Sequence, residues 1–191
     1  MYVHSFPQKA CDYRPTRVFI VFIFYTAMSI LLIVDMQEAF VSNEIVVRNI
    51  GSVSSKFDTI VATKFVSGNS LYQSELEWSL SDKQSQLTET AKELVPTENI
   101  YEKCGYSALT NSDLQDRLTS ENPDTVYVAG FETDACILST AFDLFDTQIR
   151  PIVIESCCQS PTETLHTSAR KILERNIGHD NVIHHTELDT L

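Results

Sequence analysis

Short apolar runs rich in branched residues recur along the chain, and segments of helical periodicity separate them. Ile30–Val34 (ILLIV) has no polar residue and predicts a strand buried on both faces. Residues 43–57 then place Val46, Ile50, Val53 and Phe57 at helical spacing, with Gly51 weakening the pattern. Further strands are predicted over residues 58–64 (DTIVATK), Ile100–Lys103, residues 125–130 (TVYVAG), residues 152–154 and residues 182–184. Ser112 and Gln115 have capping-box spacing and predict a helix through Leu118. Thr133 reads as the cap of a helix whose apolar stripe is Leu138, Ala141, Phe142 and Phe145. A second capping box, Ser160-Pro161-Thr162-Glu163, opens a helix burying Leu165, Ala169, Ile172 and Leu173, and Gly178 ends it.

Apolar strands alternating with crossover helices predict an α/β domain: a mainly parallel six-stranded sheet with helices on both faces. Residues 66–98 break that rhythm. They are polar, contain the only tryptophan, Trp78, and read as an inserted cap or loop region. No internal repeat is visible.

Upstream of the first strand, residues 18–34 form 17 positions without a charge, preceded by Arg14 and Arg17. A membrane span needs about 20 apolar residues. Once Ile30–Val34 is assigned to a strand, about eleven apolar positions remain, the length of a signal-peptide core. No small-x-small cleavage site precedes the strand. The favoured reading starts the domain at Met28, with residues 1–28 a hydrophobic extension or gene-model artefact and residues 29–188 the domain. A membrane anchor and an ordinary structural segment are the alternatives.

The chain has 191 residues, 43% hydrophobic and 21% charged, an ordinary globular composition. The 14 Lys and Arg stand against 26 Asp and Glu, a formal charge of −12 with no basic run, which argues against nucleic acid as a partner. Five cysteines, at 11, 104, 136, 157 and 158, include no CxxC pair. An odd, unpatterned set argues against a secreted disulfide framework and for a reducing, cytoplasmic setting. Five histidines form no HxH or HExxH motif, so no metal is expected.

In open α/β sheets, ligands bind at the carboxyl ends of the strands. Three predicted strand ends carry reactive groups: Asp35 after ILLIV, Lys103 after NIYE, and Cys136 in GFETDAC. If Thr133 caps the helix, Cys136 falls at its third position, where the helix dipole favours a thiolate and lowers the thiol pKa. A neighbouring Lys103 adds to that effect and keeps Asp35 ionised. Asp35 then serves as the proton carrier, and amides at the turn hold an oxyanion. Each residue has a plainer reading: Cys136 as a small core residue, Asp35 as a turn residue, Lys103 as a solvated charge.

The blocks LLIVDMQEAF, YEKCGYSAL and VYVAGFETDACILSTAFDLFD, in this order and spacing, resemble the isochorismatase-like cysteine hydrolases. PIVIESCCQS and His166 further on also fit, and the resemblance covers about residues 29–185. It implies a Rossmann-like three-layer (αβα) sandwich and a catalytic triad of Asp35 as acid/base, Lys103 as electrostatic partner and Cys136 as nucleophile. It also implies a cis peptide between Phe131 and Glu132, with the Glu132 and Cys136 amides as oxyanion hole, and a structural hydrogen bond for His166. Metal-dependent nicotinamidases in this superfamily carry an Asp and several His after the second strand. Here the stretch is TKFVSGNSLYQ, without His, so no cofactor is implied. True isochorismatases lack the nucleophilic cysteine.

The expected activity is hydrolysis of a small amide or related C–N bond through a thioester. The expected partners are a small-molecule substrate and further copies of the chain, with neither nucleic acid nor membrane. Phe40, Phe65 and Trp78 are candidate pocket walls, with ordinary core as the plainer reading. Two rival readings are a catalytically silent binding or scaffold protein of this family and a membrane-anchored version of the domain.

Overall fold

A computed structural model of the protein describes residues 28–67, 70–77 and 79–190. The hydrophobic extension expected over residues 1–28 falls outside these residues except for Met28, as does Trp78. Six strands form one sheet: β1 Ile30–Val34, β2 Thr59–Phe65, β3 Ile100–Lys103, β4 Thr125–Phe131, β5 Arg150–Gln159 and β6 Val182–Ile183. Their order is β3-β2-β1-β4-β5-β6, and every pairing is parallel. This is the expected α/β architecture, with strand order reversing between β1 and β4.

The helices are α1 Glu44–Ser54, α2 Ser70–Leu76, α3 Glu89–Leu94, α4 Ser112–Glu121, α5 Leu138–Asp146 and α6 Glu163–Ile177. β1 is fully shielded, and its alternate residues feed opposite cores. Ile30, Leu32 and Val34 pack with Leu114, Leu118, Ala141, Leu144 and Leu173, on the side of α4, α5 and α6. Leu31 and Ile33 pack with Val46, Ile50, Val53 and Ala91, on the side of α1 and α3. The period of two that strands impose on side chains thus yields three layers from one apolar run. Each fully buried large aliphatic side chain contributes about 1.5–3 kcal/mol.

Local details differ from the expected ones. The α4 cap is Asn111, whose side chain accepts from the Leu114 amide, one residue before Ser112. The α6 cap is Thr162 rather than Ser160, and it accepts from Leu165. On α6, Leu165 and Ile172 are 41% and 43% exposed, while Ala169, Leu173 and Ile177 face the core. On α5, Phe145 is 45% exposed, and Thr140, Ala141 and Leu144 are buried. The stretch after β2 holds α2 and α3. It is joined to the β1 end by a bridge between Gln37 and Leu87.

β1 and β4 approach closely at their carboxyl ends. Gly130 pairs with Val34 and has φ +123°. A Cβ there would lie 2.1 Å from the Val34 carbonyl oxygen, so glycine alone fits. No helix among the described residues is long and apolar enough to cross a membrane.

Candidate active site

β1, β3 and β4 each deliver one polar side chain to the same rim. Asp35 directly follows β1, adopts φ +50°, and is fully buried. Its amide donates to the Thr63 carbonyl at 3.2 Å. Its Oδ1 accepts from the Thr63 hydroxyl at 2.8 Å. Lys103 closes β3 at the sheet edge, opposite Phe65 of β2. The lysine chain is long enough to reach past β2. Its Nζ lies 2.7 Å from Asp35 Oδ2, with both side chains shielded from solvent. The same ammonium donates to the carbonyls of Gly105 and Tyr106, at 2.8 and 2.9 Å. It also donates to Cys136 Sγ at 3.3 Å. It stands 5.3 Å from the centre of the Phe65 ring, within cation–π range.

Cys136 sits beyond β4 on a π-helical turn, Thr133–Ile137, that leads into α5. The Glu132 carbonyl accepts from the Ala135 and Ile137 amides, at 3.2 and 3.0 Å. The Phe131–Glu132 peptide is cis. Thr133 does not cap the turn. No side chain does, and the Thr133 hydroxyl is engaged with His166 Nδ1 at 2.8 Å.

The thiol pKa moves opposite to the helix-dipole expectation. Cys136 is pushed up to about 12, by burial first and then by the negative charge of Asp35; the Lys103 ammonium opposes this without overcoming it. Asp35 is also raised, because burial outweighs the pull of Lys103 and the hydrogen bonds from Lys103, Thr63 and Cys136. The resting sulfur is therefore a protonated thiol, hydrogen-bonded to the Asp35 carboxyl group.

The expected trio thus stands together around the Lys103 ammonium. Phe65 is buried beside it and meets Tyr72 edge-on at 5.3 Å. Phe40 is partly buried against the core on the α1 side. Tyr72 and Thr63 escaped sequence reasoning. Burial raises Tyr72, with Tyr106, Cys136 and Asp35 adding to the shift, so it stands in the field of the site. Nothing in the polar stretch around it marks that position. Gln37 also went unnoticed. It is fully buried, donates to the Phe65 and Ser85 carbonyls and accepts from the Phe65 amide at 2.7 Å, tying the inserted segment to β2. No group of three His, Cys, Asp or Glu able to hold a metal occurs among the described residues.

A sheet of this order with these residues at its switch point belongs to a known class. The isochorismatase domain matches residues 29–179, and the chain belongs to the isochorismatase family. The chain is 32% identical over 82 residues to an uncharacterized isochorismatase family protein PncA of Bacillus subtilis (strain 168). That match spans 42% of this chain and 45% of the relative, less than half its length. Among solved structures, an isochorismatase-like hydrolase from Alkaliphilus metalliredigens superposes with TM-score 0.70 at 21% identity, covering 86% of this chain and 96% of that one. Nicotinamidase PncA from Bacillus subtilis gives 0.69 at 18%, covering 82% and 99%. A cysteine hydrolase from Pseudomonas syringae pv. phaseolicola gives 0.69 at 16%, covering 85% and 91%. At these identities the structural likeness is one of fold.

Proposed function

We propose that the protein is a cysteine hydrolase that cleaves a small amide or related C–N bond through a thioester. The observation that carries this reading is the Lys103 ammonium within 2.7 Å of Asp35 and 3.3 Å of Cys136. Asp35 takes the thiol proton as sulfur bonds to the substrate carbonyl carbon. The raised pKa of Asp35 suits it to hold that proton. The oxyanion rests on the amides of Glu132 and Cys136. Asp35 then protonates the departing nitrogen, the C–N bond breaks, and an acyl-thioester remains. Water, deprotonated by Asp35, attacks the acyl carbon. The thiol regains its proton and the acid leaves. The Lys103 side chain, in reach of both groups, steadies whichever of carboxylate or thiolate is ionised. Phe65 serves as a wall of the substrate pocket.

The test is a panel of small amides, ureides and carbamates assayed for ammonia release, with wild type and Cys136→Ala side by side. Turnover of a panel member that vanishes in Cys136→Ala supports the reading. Full hydrolysis by Cys136→Ala overturns it.

A further inference from the structure

The mechanism makes no use of a polar chain that runs from α6 to the nucleophile turn. Thr133, the first residue of that turn, is 1% exposed, and its hydroxyl meets His166 Nδ1 at 2.8 Å. On the other side of the ring, Nε2 faces Glu155 Oε2 of β5 at 3.7 Å. Arg170, one helical turn along α6, holds that same carboxylate oxygen at 4.0 Å and Glu174 at 3.7 Å. A carboxylate on the Nε2 side favours the tautomer with its proton on Nε2. Nδ1 is then the acceptor and the Thr133 hydroxyl the donor. A second tie falls on the next residue, where the Asp134 amide donates to the Ser160 hydroxyl at 3.2 Å. The segment leading into α6 and α6 itself thus grip the turn at positions 133 and 134, two residues before the sulfur.

We propose that His166, oriented by Glu155, is a positioning residue: through Thr133 it holds the turn that carries Cys136 and keeps the sulfur enclosed against Lys103. Buried polar pairs of this kind fix one geometry because leaving either partner unmatched is costly. The catalytic consequence rests on the cysteine-hydrolase reading; the placement of the sulfur does not. Loosening the turn frees a thiol that is 8% exposed and moves it out of line with its proton acceptor.

The experiment compares Thr133→Val and His166→Ala, which remove the contact, with Thr133→Ser and His166→Asn, which keep a hydrogen-bonding group. The first readout is the iodoacetamide alkylation rate at Cys136 by peptide mass spectrometry, with exposed Cys104 as internal reference. It needs no substrate. Alkylation at Cys136 rises at least fivefold in the first pair and stays within twofold of wild type in the second. The reference rate is unchanged, and thermal midpoints do not follow the same ranking. With an amide from the panel, kcat falls at least tenfold in the first pair while KM stays within threefold. Alkylation within twofold of wild type in both Thr133→Val and His166→Ala overturns the proposal. So does conservative variants behaving like the disruptive ones. If His166→Ala does not fold, the two Thr133 variants decide. Failure of every panel substrate would strike the hydrolase reading and leave the labelling result standing.

Discussion

Lys103 and Asp35 form an ion pair of 2.7 Å with neither side chain open to solvent, although β2 separates β3, which Lys103 closes, from β1, which Asp35 follows. A buried pair is expensive to halve, because the surviving charge keeps its desolvation cost and loses its compensation. Lys103→Met and Asp35→Leu are each expected to lower unfolding free energy by about 3–5 kcal/mol. The double variant is expected to recover much of that loss. Urea denaturation of the four proteins measures the coupling, and single variants costing less than about 1 kcal/mol would contradict the buried pairing.

The resting thiol gives a second test. With Cys136 near 12, alkylation of this residue should climb steadily with pH through 9 and show no plateau near neutrality. The Asp35 charge is one cause of the rise, so Asp35→Asn should lower the thiol pKa and speed labelling at pH 8. A plateau below pH 7 in wild type would show a preformed thiolate instead.

Activity should have an acidic limb set by Asp35. In the proposed mechanism the carboxylate must be ionised to accept the thiol proton, and burial holds its pKa above the ordinary 3.8. The ratio kcat/KM should therefore fall as pH drops through a midpoint above 3.8. A profile flat down to pH 4 would remove Asp35 as the base.

Stability should fall on the alkaline side. Cys136 and Cys157 are pushed up to about 12 and Cys158 well above its ordinary value, each chiefly by burial. Above about pH 9 the unfolded chain releases these protons while the folded chain keeps them. The native state then binds more protons, so unfolding free energy declines as pH rises, by about 1.4 kcal/mol per pH unit for each such thiol. Denaturation in reductant between pH 8 and 11 measures the slope, and Cys158→Ala should make it shallower.

Gly130→Ala should be among the most damaging small substitutions. Its φ of +123° and the 2.1 Å approach to the Val34 carbonyl leave no room for a methyl group. Strain of about 1–3 kcal/mol is compounded by forcing β1 and β4 apart. A thermal midpoint within a few degrees of wild type would contradict the close pairing.

Much of the sheet was legible in the chain because a strand buried on both faces must be apolar throughout, as Ile30–Val34 is. The end of that run pointed to Asp35 for the same reason: a polar residue ending an apolar strand lies at the rim, whereas Lys103 closes the mixed strand β3 and Cys136 lies beyond β4 on the turn into α5. Caps were read less well. Ser112 and Ser160 fit the spacing rule, but Asn111 and Thr162 are the residues in extended backbone whose side chains reach the first free amides. At Cys136 the shift runs opposite to the helix-dipole expectation, which rested on a helix capped by Thr133; the turn is π-helical without a side-chain cap, and burial dominates, with the Asp35 charge adding to it. Nor does any local pattern reveal that a lysine ending an edge strand will cross over its neighbour. That depends on strand order, which only the folded sheet establishes.

The strand order has a consequence for biogenesis. Residues 35 and 136 are brought together by the pairing of β1 with β4, and Lys103 joins them only through β3 docked on β2. A ribosome-bound chain that has released β1 to β3 owns the acid and the amine without the sulfur. The three groups therefore meet only when β4 inserts alongside β1, and no nascent fragment ending before that strand carries all of them.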